Sequence, residues 1–385
     1  MVKKKVKYPR IIGQETVWEK LLSIYRRDKV GNAYLFHGSE GIGKEAMAIQ
    51  FASLLNCNEA DSMPCLSCDS CLKFNSLQHP NLTIISPFPI EKKITKEDSA
   101  LKALSPKTLE LFSKLMLNKG KDPYVKLKLP RANSILINSI RGLKKKIYLK
   151  NIELGQKMIL VFEAEKLMSQ EGASGNALLK ILEEPPASTT FILTTEKPER
   201  LSETIRSRCQ SIFFPPISEK EMDNYLKNTY QLNEEKALFI ARLSRGNMIL
   251  ARQLLDYDID DIKDVIQSMI SWLGSKSENG WRKFLSHVVI NYRSNPSHLF
   301  FQFQLLSFWF KDAFLCQKSC DNSYYNMSIM DKDIKEFNRM FPKADYAKII
   351  VAIEKCANSL KQNFQLNLVV MNLLIEIHNG LGDPR

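Results

Sequence analysis

Residues 32–57 read NAYLFHGSEGIGKEAMAIQFASLLNC. The opening NAYLFHG, Asn32 to Gly38, is an apolar run closing on glycine, the pattern of a buried parallel strand. The closing KEAMAIQFASLLNC sets Met47, Ile49, Phe51, Leu54 and Leu55 at helical spacing. Between them GSEGIGKE, Gly38 to Glu45, meets the phosphate-binding pattern G-x-x-x-x-G-K-[ST] at every position but the last, where Glu45 replaces the hydroxyl. Strand, glycine loop and helix in that order let backbone amides at a helix N-terminus cradle phosphate. Gly38, Gly41, Gly43 and Lys44 are therefore the candidate nucleotide contacts.

Moving outward, further strands are expected at LTIISP, KMILVFEA and TTFILTTE, with helical text between them. Repeated β–α alternation predicts a parallel sheet covered by helices. FFPPIS, Phe213 to Ser218, marks a boundary with its paired prolines. Beyond it Ser218 and Glu221 form a capping-box pattern. A small helical unit follows, and from about Val265 the text is helical to the end. Tyr346, Ile349, Ile350, Ile353, Ala357, Leu360 and Phe364 keep an apolar stripe there. A Lys-rich segment, about 88–129, interrupts the α/β region; it carries a helix near SPKTLELFSKLML and a turn at NKGKDP. The expected division is an α/β domain over 1–215, a small helical domain over 216–264 and an all-helical domain over 265–385.

The 385 residues, 44% hydrophobic and 25% charged, have the composition of a soluble globular chain of two or three domains. No apolar run reaches the roughly 18–20 residues that span a bilayer. The basic start, MVKKKVKYPRIIG, lacks the apolar core of a signal peptide, so a cytoplasmic location without membrane contact is expected. The net charge is +13, and Pro87 to Lys150 alone holds sixteen Lys or Arg against five Asp or Glu, a net +11. Such a run fits a polyanion such as DNA, or a merely solvated face.

Cys57, Cys65, Cys68 and Cys71 form C-x7-C-x2-C-x2-C. Four thiolates at this spacing can close a tetrahedral zinc site, structural because no position is left for water. The alternative is four reduced cysteines or a disulfide pair, which cytosolic redox disfavours. Cys209, Cys316, Cys320 and Cys356 lie apart and read as ordinary residues.

The phosphate loop and cysteine cluster are joined by HPNLTIISP, by NALLKILEEPP (Asn176 to Pro186), by FILTTEKPERL (Phe191 to Leu201) and by SRC (Ser207 to Cys209). Together these strongly resemble the bacterial DNA polymerase III clamp loader subunits, the delta-prime and gamma/tau group of AAA+ proteins. The motif-level likeness covers about Ile11 to Pro216; the remainder agrees in layout, as a lid and a collar domain. The resemblance implies an AAA+ P-loop domain with a zinc module, then helical lid and collar.

Against that family the chain departs in three places. A working loop uses a Ser or Thr hydroxyl on Mg²⁺ where Glu45 stands, and a second negative charge beside phosphates is repelled. Motor subunits carry an Asp-Glu pair after the strand MILVF; aligned on EAEKL, Phe162 holds the Asp position and Glu163 the Glu position. In SRGNMILA, Ile249 stands where motors place an arginine facing the γ-phosphate. The joint loss implies a degenerate site, with ATP and Mg²⁺ doubtful as cofactors. Lys44 and the loop amides could still hold phosphate without metal, and Thr194 stands where the family has a polar phosphate sensor or is a plain strand-end threonine.

Ser207-Arg208-Cys209 resembles the family's arginine finger, which acts in trans on ATP bound by a neighbouring subunit. The resemblance thus implies a delta-prime-like, non-hydrolysing member of a clamp loader ring, with other AAA+ subunits, the sliding clamp and primed DNA as partners. Two alternatives stand beside it: an active gamma/tau-like ATPase, and a zinc-bearing DNA-binding protein unconnected with ATP.

Overall fold

A computed structural model of the chain describes residues 11–149, 153–169, 172–275, 277–319, 325–361 and 364–382. The basic start, Lys150 and Cys320 lie outside them. Five strands make one parallel sheet: β1 (Ala33–His37), β2 (Leu82–Ile85), β3 (Lys157–Val161), β4 (Thr189–Thr195) and β5 (Gln210–Phe213). Their order is β2-β3-β4-β1-β5, with Ala33 opposite Phe191, Leu82 opposite Met158 and Tyr34 opposite Gln210. The first four strands coincide with the expected ones. β5 escapes sequence reading because QSIF is short, lies at an edge and buries only Ile212.

Alternation along each strand feeds two cores. Tyr34, Phe36, Met158, Leu160 and Ile192 face one side, and Leu35, Ile159, Val161, Phe191 and Leu193 the other. Helices α1 (Glu15–Arg26), α2 (Lys44–Leu55), α3 (Asp69–Asn75), α4 (Pro106–Lys121), α5 (Ile137–Ile147), α6 (Ala173–Glu183) and α7 (Glu203–Arg206) accompany the sheet. Nearly all of α2 is buried, so it rises from the phosphate-loop motif into the first core.

The interrupting segment holds α4. The Ser105 hydroxyl accepts from Thr108 N and Pro106 starts the helix, the usual N-terminal chemistry. The expected turn at NKGKDP is displaced: the helix continues through Lys121, and the chain turns at Asp122 to Val125. Gly120 is tolerated inside the helix because an added Cβ there would stand 3.0 Å from Asn75 O. A close approach of α4 to the end of α3 requires it.

The chain divides into two compact units, Met1–Tyr225 with Ser244–Leu250, and Leu226–Leu243 with Ala251–Arg385. Helices α8 (Glu219–Tyr230), α9 (Glu234–Ser244) and α10 (Met248–Leu255) run through the region where the chain passes between them. The capping box forms: Ser218 N donates to Glu221 Oε2 at 3.1 Å and Glu221 N to Ser218 Oγ at 3.2 Å. The second unit continues with α11 (Ile259–Gly274), α12 (Glu278–Ser294), α13 (Pro296–Gln317), α14 (Asp331–Met340), α15 (Tyr346–Lys361) and α16 (Leu366–Leu381). Trp309 and Phe337 meet edge to face at 5.0 Å in its core. The expected stripe buries Tyr346, Ile349, Ile353 and Leu360, whereas Phe364 lies beyond the end of α15 and is exposed. Among the described residues no helix is long and apolar enough to cross a membrane.

Candidate functional site

The phosphate loop joins β1 to α2 with Gly38, Gly41 and Gly43 at φ of 146°, 72° and 96°. An added Cβ on Gly41 would stand 1.8 Å from Asn247 Oδ1. That oxygen caps the next helix, accepting from Ile249 N at 2.9 Å and Leu250 N at 3.1 Å. Met248 N donates to Gly41 O at 3.0 Å. The stretch that carries Ile249 is therefore docked directly on the loop.

Lys44, 7% exposed, turns back on its own loop: its Nζ donates to Gly38 O at 2.8 Å and to Ser39 O. Burial, with Lys126 nearby, depresses its pKa to about 8 against the pull of Glu196, Glu45 and Glu40. Thr194 is buried at the end of β4 and faces the same hollow, as do Thr195, Glu163 and Ile249. Thr195 donates to Glu165 Oε2 at 2.6 Å. Phe162 is fully buried, and Glu163 pairs with Lys166 at 2.7 Å.

One wall of the hollow comes from the inserted segment, through Pro123, Tyr124 and Lys126. Lys119, at the end of α4 and wholly inaccessible, pairs with Glu45 and donates to Pro123 O at 3.2 Å and Val125 O at 2.7 Å. Its ammonium also stands 4.9 Å from the centroid of Phe162, within range of the ring's attraction for a cation. Tyr124 accepts from Ile12 N at 3.1 Å, and its ring lies 3.4 Å from where a Cβ on Gly43 would be. Lys126 reaches Glu40 at 2.6 Å and also Glu196. Burial is the largest single influence and opposes the charge on both, yet Glu40, Glu196 and Glu45 together raise the Lys126 pKa, and Lys126, Lys128 and Lys44 together lower that of Glu40. The cavity left there is about 30 Å³, room for a water or two.

Sequence reading brought the loop glycines, Lys44, Thr194, Phe162, Glu163 and Ile249 to this place, but missed Lys119, Tyr124, Lys126, Glu40 and Glu196. One signal was available. A carboxylate where phosphate chemistry wants a hydroxyl implies a buried cation, and the unexplained Lys-rich segment was its source.

Arg208 does not line the hollow. It follows α7, with Nη1 donating to Thr204 O at 3.0 Å and Nη2 to Glu183 Oε1 at 2.8 Å. The guanidinium is about a third exposed and its partner about half, so the pair is open to exchange.

The four cysteines come together beside α3, with all four sulfurs within 4.8 Å of one another. Cys65 Sγ and Cys71 Sγ are 3.9 Å apart, close to the roughly 3.8 Å edge of a tetrahedron with metal–sulfur bonds of about 2.3 Å. Backbone N–H groups of Cys65, Cys68 and Cys71 point at Cys57, Cys65 and Cys68 sulfurs at 3.3, 3.3 and 3.5 Å. The donor set therefore fits a metal held by four thiolates. Burial pushes the Cys71 thiol up, so a dication held there would be what stabilises its thiolate. Among the described residues every cysteine is free of disulfides.

A parallel sheet ordered β2-β3-β4-β1-β5, with a phosphate-type loop leaving the interior strand β1, defines a P-loop α/β domain. Residues 13–218, more than half of the chain, match the family model described as DNA polymerase III, delta subunit, and the chain belongs to that family. It is 29% identical over 213 residues to DNA polymerase III subunit delta' of Bacillus subtilis, covering 55% of this chain and 51% of the relative. It is 29% identical over 257 residues to the gamma/tau subunit of Mycoplasma genitalium, covering 65% and 35%, respectively. The delta' subunit of Escherichia coli is 25% identical over 283 residues, 73% of this chain and 70% of that one. The chain thus spans about half and about a third of the first two relatives.

Proposed function

We propose that this chain is a delta-prime-like subunit of the DNA polymerase III clamp loader that neither binds nor hydrolyses ATP at its own loop. One observation carries this reading: the hollow that would take the nucleotide is narrowed by the chain's own Tyr124 and Lys126, and Glu45 on its wall is neutralised by the inaccessible Lys119. A Mg²⁺ ion held by a hydroxyl has no place where a carboxylate already holds an ammonium. Chemistry then occurs in the assembly. Arg208 leaves Glu183 and turns to ATP on a neighbouring AAA+ subunit, where its fixed charge and planar fork stabilise the transferring γ-phosphoryl group. A 1–215 AAA+ domain, a 216–264 lid and a 265–385 collar complete the subunit, with zinc on the four cysteines as a structural staple. The sliding clamp and primed DNA are reached through the complex.

Mg²⁺-dependent ATP turnover by the purified chain tests the first part. Turnover above background that Lys44→Ala abolishes would give the site to the gamma/tau-like reading, to which the Mycoplasma relative gives equal identity. In the reconstituted loader, Arg208→Ala is expected to slow ATP hydrolysis at the neighbouring subunit's site by about 10³-fold or more, the range of trans arginines. Unchanged hydrolysis would remove Arg208 from the mechanism.

A further inference from the structure

We propose that the open edge of β2 is a docking site for an extended acidic segment of another protein, which adds to the sheet as a sixth strand. Among the described residues β2 ends the sheet and pairs with β3 alone. The carbonyls of Asn81 and Ile85 accept from Met158 N at 2.7 Å and Phe162 N at 2.9 Å, so odd-numbered residues face β3. By alternation Leu82 and Ile84 turn their backbone groups outward. His79 O takes Leu82 N at 2.9 Å. The Leu82 carbonyl and both backbone groups of Ile84 are left to meet a new strand. Edges are ordinarily blunted by charge or proline, and the strand's own LTII carries neither.

The edge is also walled. Helix α4 packs Phe112 and Met116 on the face shared with Leu82 and Ile84, while α5 packs on the opposite face with Ile85. The gap between them is a trough of about 450 Å³ floored by β2, and a second hollow of about 340 Å³ continues it past Leu82 and Thr83. In the α5 wall Gly142 leaves a recess, for an added Cβ there would meet nothing within 4 Å.

Charge selects the occupant. Lys96, Arg141, Lys145 and Lys146 stand on the rim, and among the described residues none of them has a carboxylate partner. Of the two acids there, Asp98 is held by Lys102 at 2.7 Å and by Thr95. A strand whose apolar side chains lie over Phe112 and Met116, with carboxylates reaching Arg141 and Lys146, satisfies edge, groove and rim at once. That is strand addition, in which main-chain bonds give affinity and side-chain pockets give register.

The test uses the full chain and a fluorescein-labelled heptapeptide of alternating Glu and Val with a central Phe. Its Lys-for-Glu counterpart and oligothymidylate are the competitors. The acidic peptide is expected to bind and to slow hydrogen exchange at the Ile84 amide. Gly142→Leu sets a side chain into that open space, where its Cβ meets nothing within 4 Å, improves the helix, and is expected to weaken peptide binding at least tenfold. Lys145→Glu with Lys146→Glu should do the same. Absence of peptide binding, an Ile84 amide that exchanges unchanged, or full affinity in Gly142→Leu would overturn the proposal. So would tighter binding of oligothymidylate at the same residues, since the rim would then be a nucleic-acid surface.

Discussion

Replacing Lys119 with methionine tests the neutralisation of Glu45 at the phosphate loop most directly. Lys119 has no exposed surface and the Glu45 side chain keeps 14% of its own, so the variant strands a carboxylate in a nearly closed site. Removing one partner of such a pair costs about 3–5 kcal/mol, most of it from the charge left behind. The bonds to Pro123 O and Val125 O are lost as well, each worth about 1 kcal/mol net. Lys119→Met is therefore expected to lower stability by about 5–7 kcal/mol, and Glu45→Gln by about 3 kcal/mol. In the double variant neither charge remains, and the loss should fall well short of the sum, with a coupling of about 2 kcal/mol. Urea unfolding of the four proteins, followed by circular dichroism and tryptophan fluorescence, measures the cycle. Additivity within about 0.5 kcal/mol would refute the claim that Glu45 exists to receive Lys119.

Chain purified without chelator should carry one zinc; stripping it or replacing Cys65 with serine should lower the melting temperature, and a metal-free chain of equal stability would deny the cluster a structural role. Lys44 has its pKa depressed from 10.5 to about 8. Below pH 8 both folded and unfolded chains hold its proton and burial penalises the fold. Between pH 8 and 10.5 only the unfolded chain keeps it, so this penalty is relieved as pH rises. Lys44→Met should thus gain most over the parent at pH 7 and less at pH 9.5 in thermal melts; a gap independent of pH would contradict the depressed value. Ser105→Ala, which removes the cap of α4, should cost about 1 kcal/mol in urea unfolding. Arg208→Ala should cost less than about 1 kcal/mol, because its pair with Glu183 is exposed.

By itself the sequence determined the α/β character, four of five strands and the loop between β1 and α2, because strand alternation, glycine at positive φ and helical spacing are local properties. It also fixed the four-cysteine set, whose members lie within fifteen residues of one another. The partner of Glu45 was beyond its reach. Lys119 lies 74 residues away in a segment that reads only as basic text, and nothing in its neighbours says which lysine is buried and which is solvated. The same holds for Lys126 and its two carboxylates, 86 and 70 residues distant. Only the tertiary structure decided that the inserted segment enters the nucleotide hollow, since burial of a charge is set by what packs around it and not by the residues beside it in the chain.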